Sequence, residues 1–187
     1  MAKIARILTP IGPVTLAAEK GALIALWLEG QRFFGEIDGK WVMPSPEQTE
    51  ITPSDDSSDP VLLQTVEWLR RYFAGERPNG RELSLAPRGS DFRRLVWETL
   101  LDIPYGGVIT YGQLAAKIAE RRGRQVAPLA IGGAVGHNPI ALIIPCHRVV
   151  TTGGKIGGYG GGFARKEWLL GFERGERLRS SFVKIVG

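Results

Sequence analysis

The sequence contains very little cysteine and histidine: one cysteine, Cys146, and two histidines, His137 and His147, in 187 residues. A single cysteine excludes an internal disulfide, which is typical of a reducing compartment. These three side chains also exclude a Cys/His metal cluster, so we expect no metal, although a site made of carboxylates alone stays open. Long apolar runs are missing too, and we therefore expect a soluble, cytoplasmic protein without a membrane span.

Acidic and basic residues are divided unevenly along the chain. The formal net charge is +5 and the pI is about 9.6. Residues 1–87 hold 9 Lys/Arg and 12 Asp/Glu, net −3, whereas residues 88–187 hold 15 and 7, net +8. This division indicates a C-terminal surface for a polyanion and an N-terminal domain with a different task. A solvated basic face is the competing interpretation.

The first half of the chain has the pattern of a small sheet. Turn signals separate three short apolar segments and predict an antiparallel meander over residues 4–8, 14–18 and 23–28. Residues 44–60 are polar, with many prolines and serines, and predict an exposed loop.

One helix and one further strand complete this half. Residues 60–73 have apolar positions at helical spacing, with Asp59 as the cap and Pro60 at the first helical position. Leu83 and Leu85 predict a last extended strand. We place the domain boundary at Pro87-Arg88-Gly89, which gives domains of residues 1–87 and 88–187.

The second half reads as helices with short connections. Ser90 or Asp91 caps a helix whose inward face holds Phe92, Leu95, Val96, Thr99 and Leu100. Thr110 caps a second helix over residues 111–119, followed by a basic turn at 121–124. A third helix over residues 127–136 is rich in small residues and contains three glycines, although each glycine costs about 1 kcal/mol relative to alanine in a helix.

Helix, basic turn and second helix form the helix-turn-helix pattern. Because the second helix has almost no long polar side chains, close approach to a minor groove fits better than the reading of bases in a major groove. Arg121, Arg122 and Arg124 favour contact with phosphates. Tight helix–helix packing through the small residues is the alternative.

The apolar segment 141–144 and Pro145 lead to the adjacent pair Cys146-His147. A lone cysteine is most often inert packing, but His147 and Arg148 are neighbours that favour a thiolate nucleophile. Residues 153–162 are rich in glycine without the order of a P-loop. Tyr159 among exposed backbone amides suits a flat ligand, and a merely flexible loop is the competing interpretation.

The sequence Pro145-Cys146-His147-Arg148-Val149 resembles the signature of the methylated-DNA–protein-cysteine methyltransferases, the O6-alkylguanine-DNA alkyltransferases. The resemblance extends over about residues 90–174, including Thr110 to Ala115, Val135 to Pro139 and Lys166 to Leu170. It implies an α+β fold: an N-terminal ribonuclease-H-like small sheet domain and a mostly helical C-terminal domain of the winged helix-turn-helix kind. The partner it implies is double-stranded DNA that contains O6-alkylguanine, bound by a monomer without a cofactor.

The resemblance also implies roles for individual residues. Cys146 would accept the alkyl group from a flipped guanine in one irreversible step, and Glu173 would orient His147. His147 would act as the base through a water, because we expect extended backbone here, on which adjacent side chains diverge. Tyr111 would donate to the base, Asn138 would brace the turn, and Lys166 would lie near the thiol. The expected pocket residues are Pro145, Val149, Tyr159 and Gly160, and the expected DNA-binding residues are Arg121, Arg122, Arg124, Gln125, Leu129, Ala130, Gly132, Gly133 and Thr152.

Two features depart from the family pattern. Leu129 stands where many members have an arginine that replaces the flipped base, and about four extra residues lie near 120–123. We hypothesise that Leu129 is an apolar wedge; Arg124 or Gln125 as the wedge, or flipping that relies on weak pairing of the lesion, are the alternatives. The Cys/His zinc set of some relatives is also missing, and we predict no structural zinc.

Two other functions compete with alkyl transfer. A non-catalytic lesion sensor on the same scaffold would lack the acceptor cysteine, which this chain has. A thiol hydrolase that uses Cys146 and His147 would need a way to release its intermediate. The sequence ranks neither methyl against larger groups nor O6 of guanine against O4 of thymine.

Overall fold

The structure, a computed structural model, describes residues 2–37, 39–41 and 59–176. The exposed loop predicted over residues 44–60 lies outside the described residues, apart from Asp59 and Pro60 at its end.

The first three strands form the predicted antiparallel meander. β1 (Lys3–Thr9), β2 (Gly12–Glu19) and β3 (Ala22–Leu28) pair in the order β1-β2-β3. A two-stranded hairpin follows, in which β4 (Glu36–Ile37) pairs with β5 (Lys40–Trp41). Sequence analysis missed this hairpin because strands of two residues are too short to show a periodic pattern.

The outer edge of β3 is covered by two segments of the chain. Leu26 donates from its N–H to the Pro139 carbonyl at 2.9 Å and accepts from the Ala141 N–H at 3.0 Å. Leu23 bridges to Leu85, but no strand forms there, and the predicted strand at Leu83 and Leu85 is wrong beyond this single bridge. Pairing at this edge satisfies backbone groups that an edge strand leaves open, and it fixes the segment that leads to Cys146 onto the N-terminal sheet.

The first helix begins and ends where the sequence predicts. α1 runs over Pro60–Phe73, and the Asp59 carboxylate accepts from the Val61 N–H at 2.9 Å. This cap satisfies a donor of the first turn, and Pro60 removes another that would have no partner. Trp68, Leu69 and Tyr72 point into the core.

The described residues of the second half form four α-helices and a short pair of strands: α2 (Asp91–Leu100), β6 (Ile109–Thr110), α3 (Tyr111–Arg122), α4 (Pro128–Gly136), β7 (Val149–Val150) and α5 (Phe163–Glu173). Ser90 caps α2, and Thr110 forms a capping box with Gln113 at the start of α3, as the sequence predicts for both caps. α3 continues to Arg122 and ends at Gly123, whose φ of +65° suits glycine.

Helices α2, α3 and α4 pack on one another, and β6 pairs with β7 in parallel. One hydrophobic cluster extends through both halves of the chain, from Leu16 and Tyr72 to Trp97 and Ile140. The fold is α+β, as predicted, with the sheet in the first half and mostly helices in the second. No helix among the described residues is long and apolar enough to cross a membrane.

Candidate active site

Cys146 begins a single 3₁₀ turn, Cys146–Arg148. The Arg148 N–H donates to the Pro145 carbonyl at 3.0 Å, and Pro145 itself has no N–H to continue a strand ladder. The expectation of extended backbone at Cys146 and His147 is therefore wrong. Neighbouring side chains still diverge, because successive residues of a 3₁₀ turn are about 120° apart.

Asn138 holds the segment that carries the thiol. Its side-chain oxygen accepts from the Ile140 N–H at 3.0 Å, and its amide nitrogen donates to the Ile144 carbonyl at 2.8 Å. The same amide nitrogen lies 3.1 Å from Sγ of Cys146. The geometry fits the bracing role expected for Asn138 and adds a donor to the sulfur, which stabilises a thiolate.

His147 and Glu173 form a buried pair, with Nε2 of His147 2.7 Å from Oε1 of Glu173 and both side chains inaccessible to solvent. Burial opposes ionisation of Glu173, but donors on His147 and Arg148 outweigh it and hold the pKa of the carboxyl far below its ordinary value. Burial lowers the pKa of His147 despite the carboxylate. A neutral imidazole beside an ionised acceptor carries its proton on Nε2, which leaves Nδ1 as a free base. Nδ1 has no hydrogen-bond partner among the described residues.

Glu173 accepts more hydrogen bonds than the sequence indicates. Arg148 donates from Nε to Oε2 at 2.8 Å and from a terminal nitrogen to Oε1 at 2.9 Å. The Gly106 N–H donates to Oε2 at 3.1 Å, and the Tyr72 hydroxyl donates to Oε1 at 2.6 Å. Sequence reasoning gave Tyr72 and Gly106 no role. Tyr72 stands near no motif, and Gly106, although it lies within the segment that resembles the family, contributes only its backbone N–H. Sequence reasoning also treated Arg148 as a cation that activates the thiol, whereas Arg148 neutralises Glu173.

The surroundings of Cys146 oppose and favour the thiolate at the same time. Burial raises the pKa of the Cys146 thiol, while the Asn138 hydrogen bond, the Lys166 charge and nearby backbone donors lower it. Lys166 is completely buried and donates from Nζ to the carbonyls of Val149 and Gly158 at 2.6 and 3.2 Å. The cation near the thiol is thus Lys166, as expected. His147 does not act as a cation here because its neutral form is favoured.

Cys146 opens onto a cavity of about 360 Å³, within the size range of small-ligand sites. The lining combines the residues expected from the sequence with a loop of the N-terminal half: Gln31, Arg32, Tyr111, Gly132, Val135, Gly136, Asn138, Ala141, Cys146, Gly158, Tyr159, Gly160 and Gly161. Two expected members lie elsewhere. Pro145 faces a separate depression beside Arg148, and Val149 is fully buried, with its carbonyl bonded to Lys166.

Two tyrosines, Tyr111 and Tyr159, line this cavity. Burial, followed by the nearby Cys146, raises the pKa of both Tyr111 and Tyr159, so both remain protonated donors at neutral pH. The Tyr159 hydroxyl is buried without a partner in the structure. Gly161 fits against the Tyr159 ring, because a Cβ there would lie 2.7 Å from it. The glycine-rich loop thus supplies a flat aromatic wall.

The outer face of α4 is open. A Cβ added at Gly132, Gly133 or Gly136 would meet nothing within 4 Å, and Leu129 is 88% exposed. Ala130 is also exposed, whereas Ile131, Ala134 and Val135 point inward. The alternative of tight helix–helix packing through these glycines is therefore wrong within the described residues, and the face is free for a partner's close approach.

The basic residues near this face differ in their availability. Arg121 donates to Thr99 at 2.9 Å and to Asp102 at 2.8 Å, and Arg122 lies over the Phe92 ring at 5.1 Å. Both belong to the last turn of α3, so the predicted basic turn does not begin at residue 121, whereas their contact with DNA stays a prediction. Arg124, Gln125 and Thr152 are also exposed, like Arg121.

The fold and the site define a class of protein: a helix-turn-helix chain that carries a cysteine beside a buried His–Glu pair. Residues 5–87 match the ribonuclease-like domain, and residues 91–175 the DNA binding domain, of the family described as 6-O-methylguanine DNA methyltransferase. The chain belongs to this family.

Individual relatives agree with that assignment. The methylated-DNA–protein-cysteine methyltransferase of Mycobacterium tuberculosis is 41% identical over 167 residues, which cover 89% of this chain and 88% of the relative. The protein of the same name from Shigella flexneri is 40% identical over 171 residues, covering 90% and 93%. Among solved structures, Mycobacterium tuberculosis OGT in complex with DNA superposes with a TM-score of 0.70 at 38% identity, covering 92% of this chain and 93% of that one.

Proposed function

We propose that this chain repairs DNA by direct reversal, taking a methyl or larger alkyl group from O6 of guanine and keeping it on Cys146. The observation that carries the proposal is Cys146 on the wall of a cavity, with His147 and Glu173 as a buried pair behind it. The names of the relatives support the same chemistry.

The transfer is a single displacement. Nδ1 of His147 takes the thiol proton through a bridging water, and the sulfur forms a bond to the alkyl carbon while the bond from that carbon to O6 breaks. The electron pair of the broken bond stays on the guanine, which takes up one proton in return. Tyr111 stabilises the developing charge on the base by donating to it. The resulting thioether has no easy way back, so each molecule acts once.

The damaged base reaches the thiol by leaving the helix. A thiol inside a cavity cannot contact a base that is stacked in a duplex, and enzymes that act on bases meet this problem by base flipping. The open face of α4 enters the minor groove, where backbone contact needs no long side chains. Arg124 and Gln125 lie beside this face and contact phosphates.

The test is the mass of the protein after incubation with duplex DNA containing O6-methylguanine. We expect one added methyl group per chain, located on Cys146, and no addition in Cys146→Ala. Unmodified protein with bound DNA would instead indicate a lesion sensor, and continued release of product would indicate a hydrolase. Both outcomes would contradict the proposal.

A further inference from the structure

The N-terminal half contributes a buried hydroxyl to the centre of the active site. Tyr72 lies on α1, 101 residues before Glu173, and its hydroxyl donates to Oε1 of that carboxylate at 2.6 Å. The same oxygen accepts from Nε2 of His147 at 2.7 Å. Tyr72 is completely buried, so no solvent competes for this bond.

The hydroxyl of Tyr72 can only be a donor here. Glu173 is ionised and offers no proton, and burial, followed by the charge of Glu173, raises the pKa of Tyr72 well above its ordinary value. Hydrogen bonds to charged groups are about twice as strong as bonds between neutral groups. The contact therefore fixes the carboxylate oxygen that orients the imidazole.

The ring of Tyr72 is held independently of its hydroxyl. It stacks on Trp68 at a centroid distance of 5.4 Å and meets Phe73, Tyr105 and Phe172 at 5.1, 5.7 and 5.8 Å. Removal of the oxygen alone leaves these apolar contacts in place. Tyr72→Phe thus separates a role in packing from a role in orienting Glu173.

We infer that Tyr72 is a positioning residue for alkyl transfer, through which the N-terminal half holds the Glu173–His147 pair in its reactive arrangement. The inference rests on the proposed function. The first half of the chain then does more than support the fold. Its Tyr72 binds the Glu173 carboxylate, and this carboxylate orients His147 in the second half.

Loss of the hydroxyl has a directional effect on His147. With one donor fewer, Oε1 of Glu173 carries more charge toward Nε2 and stabilises the imidazolium, so the pKa of His147 rises. The other charged or titratable groups around this pair stay the same: Lys166 on α5, Arg148 beside the histidine, Tyr159 from the glycine-rich loop and Tyr105 beside Arg148. The acid limb of the rate profile therefore moves to higher pH.

The experiment compares Tyr72→Phe with Tyr105→Phe in the full chain. Tyr105 belongs to the same aromatic cluster, but its hydroxyl makes no hydrogen bond within the described part of the chain, so its loss controls for removal of an oxygen. Single-turnover transfer from O6-methylguanine duplex is measured from pH 5 to 9. We expect Tyr72→Phe to be about tenfold slower at the plateau, the loss that corresponds to one hydrogen bond to a charged group. We also expect its acid limb at higher pH, and no change in Tyr105→Phe.

A second readout keeps the inference separate from the proposed function. Iodoacetamide alkylates Cys146, the only cysteine: the sulfur–carbon bond forms, iodide leaves with the electron pair of the carbon–iodine bond, and the thiol proton passes to His147. We expect the same slowing and the same shift in pH with this reagent. If the unchanged protein takes no methyl group from DNA but Tyr72→Phe still slows iodoacetamide, the proposed function fails and the role of Tyr72 stands. Rates and pH profiles equal to those of Tyr105→Phe with both reagents would overturn the inference.

Discussion

The cluster around Glu173 and the outer face of α4 differ in how many contacts they make within the chain. In the cluster, one carboxylate accepts from Tyr72, Gly106, His147 and Arg148, and almost every polar atom has a partner. On α4, a Cβ added at Gly132, Gly133 or Gly136 would meet nothing within 4 Å. Contacts within the chain fix the chemistry, whereas missing side chains leave room for DNA. Substitutions in the cluster should therefore affect stability and rate, and substitutions on the face should affect affinity.

The largest effect should come from Glu173→Gln. The change leaves the Arg148 guanidinium buried without its anion, which costs about 3–5 kcal/mol in the free energy of unfolding. It also removes the acceptor that orients His147, and we expect transfer to be slower by roughly 10²-fold. Denaturant unfolding and single-turnover rates measure the two losses.

Glu176→Gln is the matched control, since Glu176 pairs with Arg174 on the surface. Exposed pairs of this kind contribute about 0–1 kcal/mol. If both variants had the same stability and the same rate, the buried cluster would not have the importance assigned to it.

The next effect should come from Gly133→Leu, which adds a side chain to the open face of α4. We expect the dissociation constant for duplex DNA to rise roughly 10–100-fold, because backbone approach to a narrow groove tolerates no such bulk. Stability should not fall, since leucine is a better helix former than glycine by about 0.5–1 kcal/mol. Gln64→Leu, at an exposed position of α1, is the control for added apolar surface. Unchanged DNA affinity in Gly133→Leu would mean that this face is not the interface.

The pH dependence of the transfer rate and of stability should reflect the cluster around Glu173 and not the outer face of α4. The pKa of His147 lies below its ordinary value of 6.5, so the imidazole stays neutral, and able to accept a proton, until the pH falls to this lowered pKa. We expect the transfer rate at saturating protein to be flat above pH 6.5 and to fall below the lowered pKa.

The free energy of unfolding should also decrease as the pH is lowered. Because the pKa values of His147 and Glu173 are both depressed in the folded state, unfolding takes up protons. Stability is therefore lost as the pH falls below 6.5, and more is lost as it falls below 4.5. A rate that rose on acidification would exclude His147 as the base.

The smallest effect should come from Leu129→Ala. Leu129 is so exposed that its loss should change the free energy of unfolding by less than about 0.5 kcal/mol. If it is the wedge, repair of duplex DNA slows a few-fold while repair of single strands does not, since only the duplex needs a base replaced. If Arg124→Ala slowed the repair of duplex DNA and Leu129→Ala did not, the wedge would be Arg124.

Local signals in the sequence predicted much of the fold. The start of α1 followed from Asp59 and Pro60, and the capping box of α3 from Thr110, because a cap depends on residues a few positions apart. The backbone at Cys146 was predicted wrongly, since a single 3₁₀ turn has no periodicity to detect.

The site was predictable only in part. Cys146, His147 and Glu173 came from the motif and the family resemblance. Tyr72 did not, because its side chain meets Glu173 across 101 residues and an inward tyrosine on α1 looks like any core residue. The partner of Arg148 was not predicted for the same reason. Its position in the sequence suggested an interaction with the thiol, whereas in the folded protein its side chain binds Glu173.

The most direct test of the division between chemistry and DNA contact compares two substrates in Gly133→Leu: O6-methylguanine as the free base and the same base in a duplex. Gly133 does not line the cavity, so the free base should react with Cys146 at the same rate in Gly133→Leu and in the unchanged protein. The duplex should react more slowly in Gly133→Leu at concentrations below saturation. Equal slowing with both substrates would contradict the account, because α4 would then act on the chemistry itself.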